Sequence, residues 1–519
     1  METVRRGQVS FAGEPGHNPQ QSCGAGSVEE ILGWGISRIG EGAGRVLRQG
    51  GRHAIIRCRG GERVYCIEGF PNLTRGEALA IRGIMERFRE RQELEQHKFN
   101  ASAIEKALNE YCAKELLELD SDQREYLLSV LHRMVFGFGV LSELLDDDAI
   151  EEIAVIGLGK EKPVHVYERS FGWLRTNIYF SSETVVRNLV NRMGMQIGRR
   201  LAMQTPRMNA VLPDGSRLNA CIEPVAFSGP CVTIRKFRKK PFTPAELAAN
   251  RTISAEALAF LWMAMQTDVS VVICGNTGSG KTTTMNALFS FIPAAERIIV
   301  TEETPEISLP HAHVVKLNTA ENLGIGMDAL ITDSLRMRPD RVIVGEVRNG
   351  EELGAFVNTI LAGQGKGSYA TFHAQSAAEC IARMRKLGVM EIDLSAIDLI
   401  VVQKRWNRVS ARGNSEVRKV VEIAEVSGSA GNGKLAGESG DTGKAKLNTL
   451  FAFDYAKDAL VRKNPSEKVM EKMLRTYPAG RAGIEKEMRG REFLIRSLAG
   501  KEIGMGEFFT RINKGGGAE

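Results

Sequence analysis

Residues 269–292 read VSVVICGNTGSGKTTTMNALFSFI, and their interpretation decides the fold. Gly275-Asn276-Thr277-Gly278-Ser279-Gly280-Lys281-Thr282 matches the pattern G-x-x-x-x-G-K-[ST] with no mismatch. The spacing has a chemical reason. Glycines let the backbone fold around a polyphosphate so that successive N–H groups point at the anion. A lysine at 281 reaches the outer phosphates, and the hydroxyl at 282 completes the shell of a magnesium ion. A helix starting at Lys281 adds its positive dipole end. Chance would give the pattern in a chain of this length roughly 2% of the time. The context lowers that figure, because a β-rich run precedes the motif and a helix-compatible run follows it. Gly275–Thr282 and Thr283 are therefore the expected nucleotide contacts. A second Gly-rich stretch, Gly437–Ala445, has one residue too many between its glycines, Ala445 in place of the hydroxyl and no flanking strand, and is set aside.

Outward from the motif, residues 252–426 alternate between β-like and helix-like runs: VSVVIC, RIIVTEE, HVVKL, RVIVGEV, SYATFHA and LIVVQKRW with helices between them. This alternation predicts a mostly parallel sheet covered by helices. RIIVTEE delivers Glu302 and Glu303 at a strand end with Glu306 beyond, and RVIVGEV delivers Glu346. Ligands of parallel α/β sheets bind at the carboxyl ends of the strands, so these acids are expected to open onto the same crevice as the glycine loop.

The chain has 519 residues, enough for three or four domains at about 150 residues each. Hydrophobic residues make up 43% and charged residues 25%, a globular balance that excludes a collagen-like or wholly disordered chain. A net charge of +6 over this length does not by itself imply nucleic-acid binding. No run approaches the ~18 apolar residues of a membrane span, and the N-terminus lacks the apolar core of a secretory signal. Eight cysteines occur without a C-x-x-C pair, which fits reduced thiols and predicts no zinc ribbon.

The organisation read from texture is an extension over 1–70 of undecided structure, a helical region over 71–147, an α/β domain over 148–240 and the nucleotide domain over 241–426. A flexible linker over 427–446 and a helical tail over 447–519 complete it. Three helices are expected in the second region, with Thr74, Asn100 or Ser102, and Ser121 as N-caps. His311 and His313 share one face of a strand, but without a third ligand they read as an exposed strand edge.

The ordered set GNTGSGKTT, TEETPEI, LRMRPDRVIVGEVRNGEE and GSYATFHA closely resembles the type II/type IV secretion ATPases, with LPDGSRLNA and VTIRKF similar to signatures of their N-terminal domain. The resemblance covers about residues 120–425. It implies a RecA-like P-loop core, a smaller PAS-like α/β N-terminal domain and helical appendages. Glu302, Glu303 and Glu306 then occupy an Asp box, Glu346 is the Walker B acid, and His373 lies in the His box as a γ-phosphate sensor. The implied catalytic set is Glu303, Glu346, His373, Arg217 and Arg235. Thr282 and Glu346 would hold Mg2+, and either glutamate could be the base. Arg238 is left undecided. The family's first box histidine is absent here. Gln364 or Lys366 then contacts the phosphates or a neighbour, or the segment is a tight loop.

The resemblance further implies ATP and Mg2+ as cofactors, a homohexamer, and a polytopic membrane platform protein at the cytoplasmic face. Pilin-like subunits would be indirect partners. The four-cysteine zinc insert of bacterial secretion members is missing, and AGQGKGSYATFHAQSA and VVQKRW look similar to archaeal members. A RecA-like nucleic-acid translocase is the alternative, but no recognition module or basic stripe supports it. A non-catalytic nucleotide switch would not need the acidic motifs.

Overall fold

Near-continuous runs of Val and Ile flanked by helices can bury both of their faces inside a parallel sheet, and strands of this kind build the larger sheet of this chain. The structure, a computed structural model, describes residues 32–36, 46–50, 53–57, 61–67, 75–92, 101–115, 119–195, 197–237, 240–320, 323–363, 365–410, 413–428 and 445–514. The chain divides into two compact units. The first comprises 1–142, 157–164 and 176–189; the second comprises 143–156, 165–175 and 190–519.

The strands are β1 (Trp34–Ile36), β2 (Val46–Gly50), β3 (His53–Arg57), β4 (Arg63–Ile67), β5 (Ile150–Val155), β6 (His165–Glu168), β7 (Gly172–Thr176) and β8 (Ile178–Phe180). β9 (Arg207–Val211), β10 (Arg217–Cys221) and β11 (Cys231–Arg235) follow. In the first unit β2, β3 and β4 form an antiparallel meander and β1 pairs with β8. The Asn177 side chain closes both backbone groups of Ile67, at 3.0 and 3.2 Å. Strands thus occupy part of the region the sequence left undecided. The three expected helices are present as Arg75–Gln92, Ala101–Glu115 and Ser121–Val135. The third is capped by Asp120 rather than Ser121: the Asp120 carboxylate accepts from Gln123 N while the Gln123 side chain returns to Asp120 N. A carboxylate one residue earlier completes this reciprocal cap better than the serine. Thr74 and Asn100 lie outside the described residues.

In the second unit β7, β6, β5, β11, β10 and β9 run antiparallel in that order. The larger sheet contains β12 (Val271–Gly275), β13 (Ile298–Glu302), β14 (Val314–Asn318), β15 (Arg341–Val347), β16 (Gly367–Phe372), β17 (Leu399–Ser410), β18 (Gly413–Ser427), β19 (Lys446–Asp454) and β20 (Ala459–Arg462). Its order is β14-β13-β15-β16-β12-β17-β18-β19-β20. The first six are parallel, and the last three add antiparallel at one edge. Helices bury apolar layers on both faces.

The tail expected to be helical therefore begins with a hairpin. LNTLFAFD and ALVR, separated by a turn at 455–458, extend the sheet before three helices follow. Residues 429–444 of the expected linker lie outside the described set. The helix Gly480–Leu498 docks through Arg491, whose guanidinium lies 4.7 Å from the Trp262 ring centroid. No helix among the described residues is long and apolar enough to cross a membrane. The buried thiols of Cys274 and Cys380 lie 3.1 Å apart.

At the amino-terminal edge of the parallel strands sits a buried ion pair. Arg341 is fully buried and donates to Glu296 at 2.6 Å, Thr267 O at 2.9 Å and the Tyr369 hydroxyl at 2.8 Å. Truncating one partner strands the other's charge. Arg341→Ala is expected to cost about 3–5 kcal/mol in urea denaturation, and Arg341→Met combined with Glu296→Leu substantially less.

Candidate active site

The glycine loop lies between β12 and the helix Lys281–Phe289, as its spacing requires. A Cβ at Gly275 would stand 2.1 Å from Gln403 O, so only glycine fits where β12 meets β17. Gly278 and Gly280 have φ of +71° and +93°, backbone that L side chains avoid. Gly280 is the N-cap of the following helix, no side chain caps it, and its first turn holds no acid, so the helix end is free to receive an anion. The buried Lys281 donates to Gly275 O at 3.2 Å. Burial holds its ammonium below the usual lysine range, against the opposing charge of Glu346. The fully buried Ser279 hydroxyl has no partner. An orphaned hydroxyl, a buried cation and an uncapped helix end together fit a magnesium-bound nucleoside polyphosphate. Thr282 and Thr283 are half-buried at the helix start.

The acids gather beside the loop. β15 and β16 pair with a register shift between Val344 and Val347, which bends the strand at Gly345-Glu346. The Thr371 hydroxyl fixes the bend by donating to Gly345 O at 2.6 Å. Glu346 then sits between the Arg348 guanidinium and the His373 ring. One carboxylate oxygen accepts from Arg348 Nε at 2.7 Å, and the other lies 2.7 Å from His373 Nε2. Arg348 Nη1 reaches Glu303, so one guanidinium bridges the two acids. Burial alone would raise the Glu346 carboxyl, but Arg348, His373 and Lys281 outweigh it and hold it below the usual carboxylate range.

The three glutamates of TEETPE separate into different settings. Glu302 is buried, and its Oε1 accepts from Glu306 N and Ile307 N, both at 2.8 Å, so it anchors the loop behind Glu303. Burial pushes its carboxyl up against those two hydrogen bonds. Glu306 pairs with Arg217 at 2.8 Å. Arg217 and Arg235 are cross-strand neighbours on β10 and β11. Arg235 is exposed, and its charge acts on Lys281.

One reading from the sequence is corrected, and of the alternatives open for Lys366 the contact with the phosphates falls away. Lys366 pairs with Glu296 at 3.2 Å and Asp340 at 3.4 Å before β16 begins, at the sheet edge opposite the glycine loop. His311 and His313 precede β14 and form no exposed strand edge. His311 is buried, with Nε2 on Ile292 O at 2.9 Å, and His313 meets Arg297 at 2.7 Å. Gln364 and Arg238 lie outside the described residues. No cluster of three or more His, Cys, Asp or Glu side chains suited to a metal occurs among the described residues.

Arg348 was missed. Its signal was present: two residues past Glu346 at a strand end, it falls on the same face. The Asn276 side chain clasps the backbone of Arg405, with bonds of 3.1 Å to both N and O, which leaves its assignment to the phosphates resting on its backbone N–H.

Glycine loop, parallel strand order and acids at the strand ends define a RecA-like P-loop protein. The family model described as Type II/IV secretion system protein matches residues 139–497, and the chain belongs to that family. It is 34% identical over 317 residues to protein MJ0900 of Methanocaldococcus jannaschii, covering 60% of this chain and 56% of that one. It is 30% identical over 233 residues to the conjugal transfer protein TrbB of Rhizobium radiobacter, covering 42% of this chain and 68% of TrbB. The match thus spans little more than half the length of MJ0900. Among solved structures, the VirB11 ATPase of the Brucella suis type IV secretion system aligns with 26% identity and a TM-score of 0.28. That alignment covers 55% of this chain and 91% of VirB11.

Proposed function

We propose that this chain is a Mg-ATP-hydrolysing motor ATPase that drives protein secretion or assembly of a pilus- or archaellum-like filament. The observation that carries the reading is the pair Glu303 and Glu346, bridged by Arg348, with Glu346 electrostatically coupled to Lys281. The sequence matches to TrbB and VirB11 support the class of machine. The division into an N-terminal domain over 148–240 and a motor domain over 241–426 belongs to the same proposal. So do a homohexamer, a cytoplasmic position against a membrane platform protein, and pilin-like cargo.

Mg2+, when bound, supplies neutralisation of the phosphate charge. Lys281 and the loop amides hold the phosphates, and Thr282 and Glu346 hold the ion. Glu303, on the other arm of Arg348, takes the proton of the attacking water. His373 stays oriented by Glu346 toward the terminal phosphate. Arg217 and Arg235 bring permanent, forked positive charge to the developing negative charge.

Steady-state release of inorganic phosphate from Mg-ATP tests the reading, and its absence from well-folded oligomer would leave only a binding switch. Stimulation by DNA, but not by anionic lipid vesicles, would favour a translocase. Arg217→Ala and Arg235→Ala are each expected to lower kcat about tenfold or more while nucleotide affinity changes by less than about threefold. Stopped-flow binding beside turnover measures the difference.

A further inference from the structure

Arg418 on β18 was invisible to the motif reading, yet it touches the glycine loop directly. Its Nε donates to Gly278 O at 3.0 Å. The rest of its guanidinium forks onto Glu151 of β5, at 3.1 and 3.4 Å, and onto Glu416 at 2.9 Å. The Arg405 guanidinium fills the space where a Gly278 side chain would be and lies 3.6 Å from Glu416. Arg169 holds Glu151 from the other side at 3.2 Å. Burial would raise the Glu151 carboxyl, but Arg418 and Arg169 outweigh it and hold it low. Burial, and then the Glu416 carboxylate, push the Tyr167 phenol up.

Glu151 is fixed in turn to the strand pair that carries Arg235. Its carbonyl accepts from Lys236 N at 2.8 Å, and Arg235 lies opposite Glu152 in the register. A planar trans peptide points its carbonyl and its amide opposite ways. Holding Gly278 O therefore sets the plane of the peptide whose N–H, on Ser279, closes the turn onto Asn276 O at 3.1 Å.

We propose that Arg418 is a positioning residue: a strut, set by Glu151, through which the strand pair bearing Arg235 controls the shape of the glycine loop and hence its affinity for nucleotide. This rests on the nucleotide reading of the loop. It adds a route by which displacement of β5 and β11 loosens or tightens the grip on the phosphates. A shift of β5 takes Glu151 off the fork, Arg418 turns to Glu416 alone, and Gly278 O loses its donor.

The test is a double-mutant cycle on the full-length chain, reading the dissociation constant of N-methylanthraniloyl-ADP with Mg2+ by fluorescence. Arg418→Ala is expected to weaken binding about tenfold, and Glu151→Gln about three- to tenfold. The pair together should weaken it no more than Arg418→Ala alone, because both act through one contact. Arg418→Lys keeps the charge without the fork and should not rescue. A merely structural role would lower the melting temperature in proportion and leave the constant unchanged where the protein is folded. Unchanged affinity in folded Glu151→Gln, or additive effects in the pair, overturns the proposal. Should Arg418→Ala fail to fold, Glu151→Gln decides alone. Wild-type chain that does not bind the probe removes the nucleotide reading and this inference with it, whereas binding lost in Lys281→Ala but intact in Glu151→Gln removes only the inference.

Discussion

Lys281→Ala is expected to abolish turnover and to weaken nucleotide binding by about a hundredfold or more. Lys281 is buried, and among the described residues its ammonium donates to the Gly275 carbonyl at 3.2 Å. Burial disfavours its charge more than Glu346 favours it, so a bound phosphate adds the stronger partner. A charged hydrogen bond contributes about 1.5–3 kcal/mol, and an ammonium reaching two phosphates makes more than one. At about 1.4 kcal/mol per decade this gives the stated loss. The Ala variant also relieves a buried charge, so its melting temperature without nucleotide should not fall. Isothermal titration with Mg-ADP and steady-state phosphate release measure the two parts. Activity surviving in Lys281→Ala would mean that the glycine loop is not the catalytic site.

Glu303→Gln is the second large effect. As general base, Glu303 contributes about 10²–10⁴ in rate, so kcat should fall by that range while the nucleotide still binds. Its pairing with Arg348 is open enough to exchange for a water, since 43% of the Glu303 side chain is exposed against 26% for Glu346. Glu346→Gln should instead raise the Mg2+ concentration needed for half-maximal rate. If Glu303→Gln turns over at the wild-type rate and Glu346→Gln loses about 10²–10⁴ in kcat at an unchanged half-maximal Mg2+ concentration, the two roles are exchanged. A glutamate at 303 has one more carbon than an aspartate, and the Arg348 bridge shows one use of that length.

The nucleotide domain was legible because its signals are local. The loop motif, the Val/Ile runs and an acid after each of two strands all lie within a few residues of what they specify. That β13, β15, β16 and β12 run parallel followed from the alternation of strand and helix; their order in the sheet did not. What stayed hidden depends on long-range pairing. Glu151 and Arg418 are 267 residues apart, and no periodicity in either segment announces the contact. The alternatives for Lys366 could not be narrowed from the sequence because its neighbours belong to the His box, whereas β16 runs between them and puts the lysine and His373 at opposite ends of one strand. The β19–β20 hairpin was readable in principle, since LFAF followed by a turn at YAKD is strand chemistry, but its position after a Gly/Ser-rich stretch suggested a tail. Asp120 displaced Ser121 as cap because the reciprocal partner Gln123 stands three residues beyond the aspartate.

A crystal structure of the full chain with Mg2+ and a non-hydrolysable ATP analogue tests the central claim most directly. The terminal phosphate is expected within hydrogen-bond distance of Lys281 Nζ, with the ion against Thr282 and Glu346, Glu303 facing the attack position and Arg348 swung off at least one carboxylate. An analogue bound away from Gly275–Thr282, or an ion with neither glutamate on its side of the sheet, would contradict it.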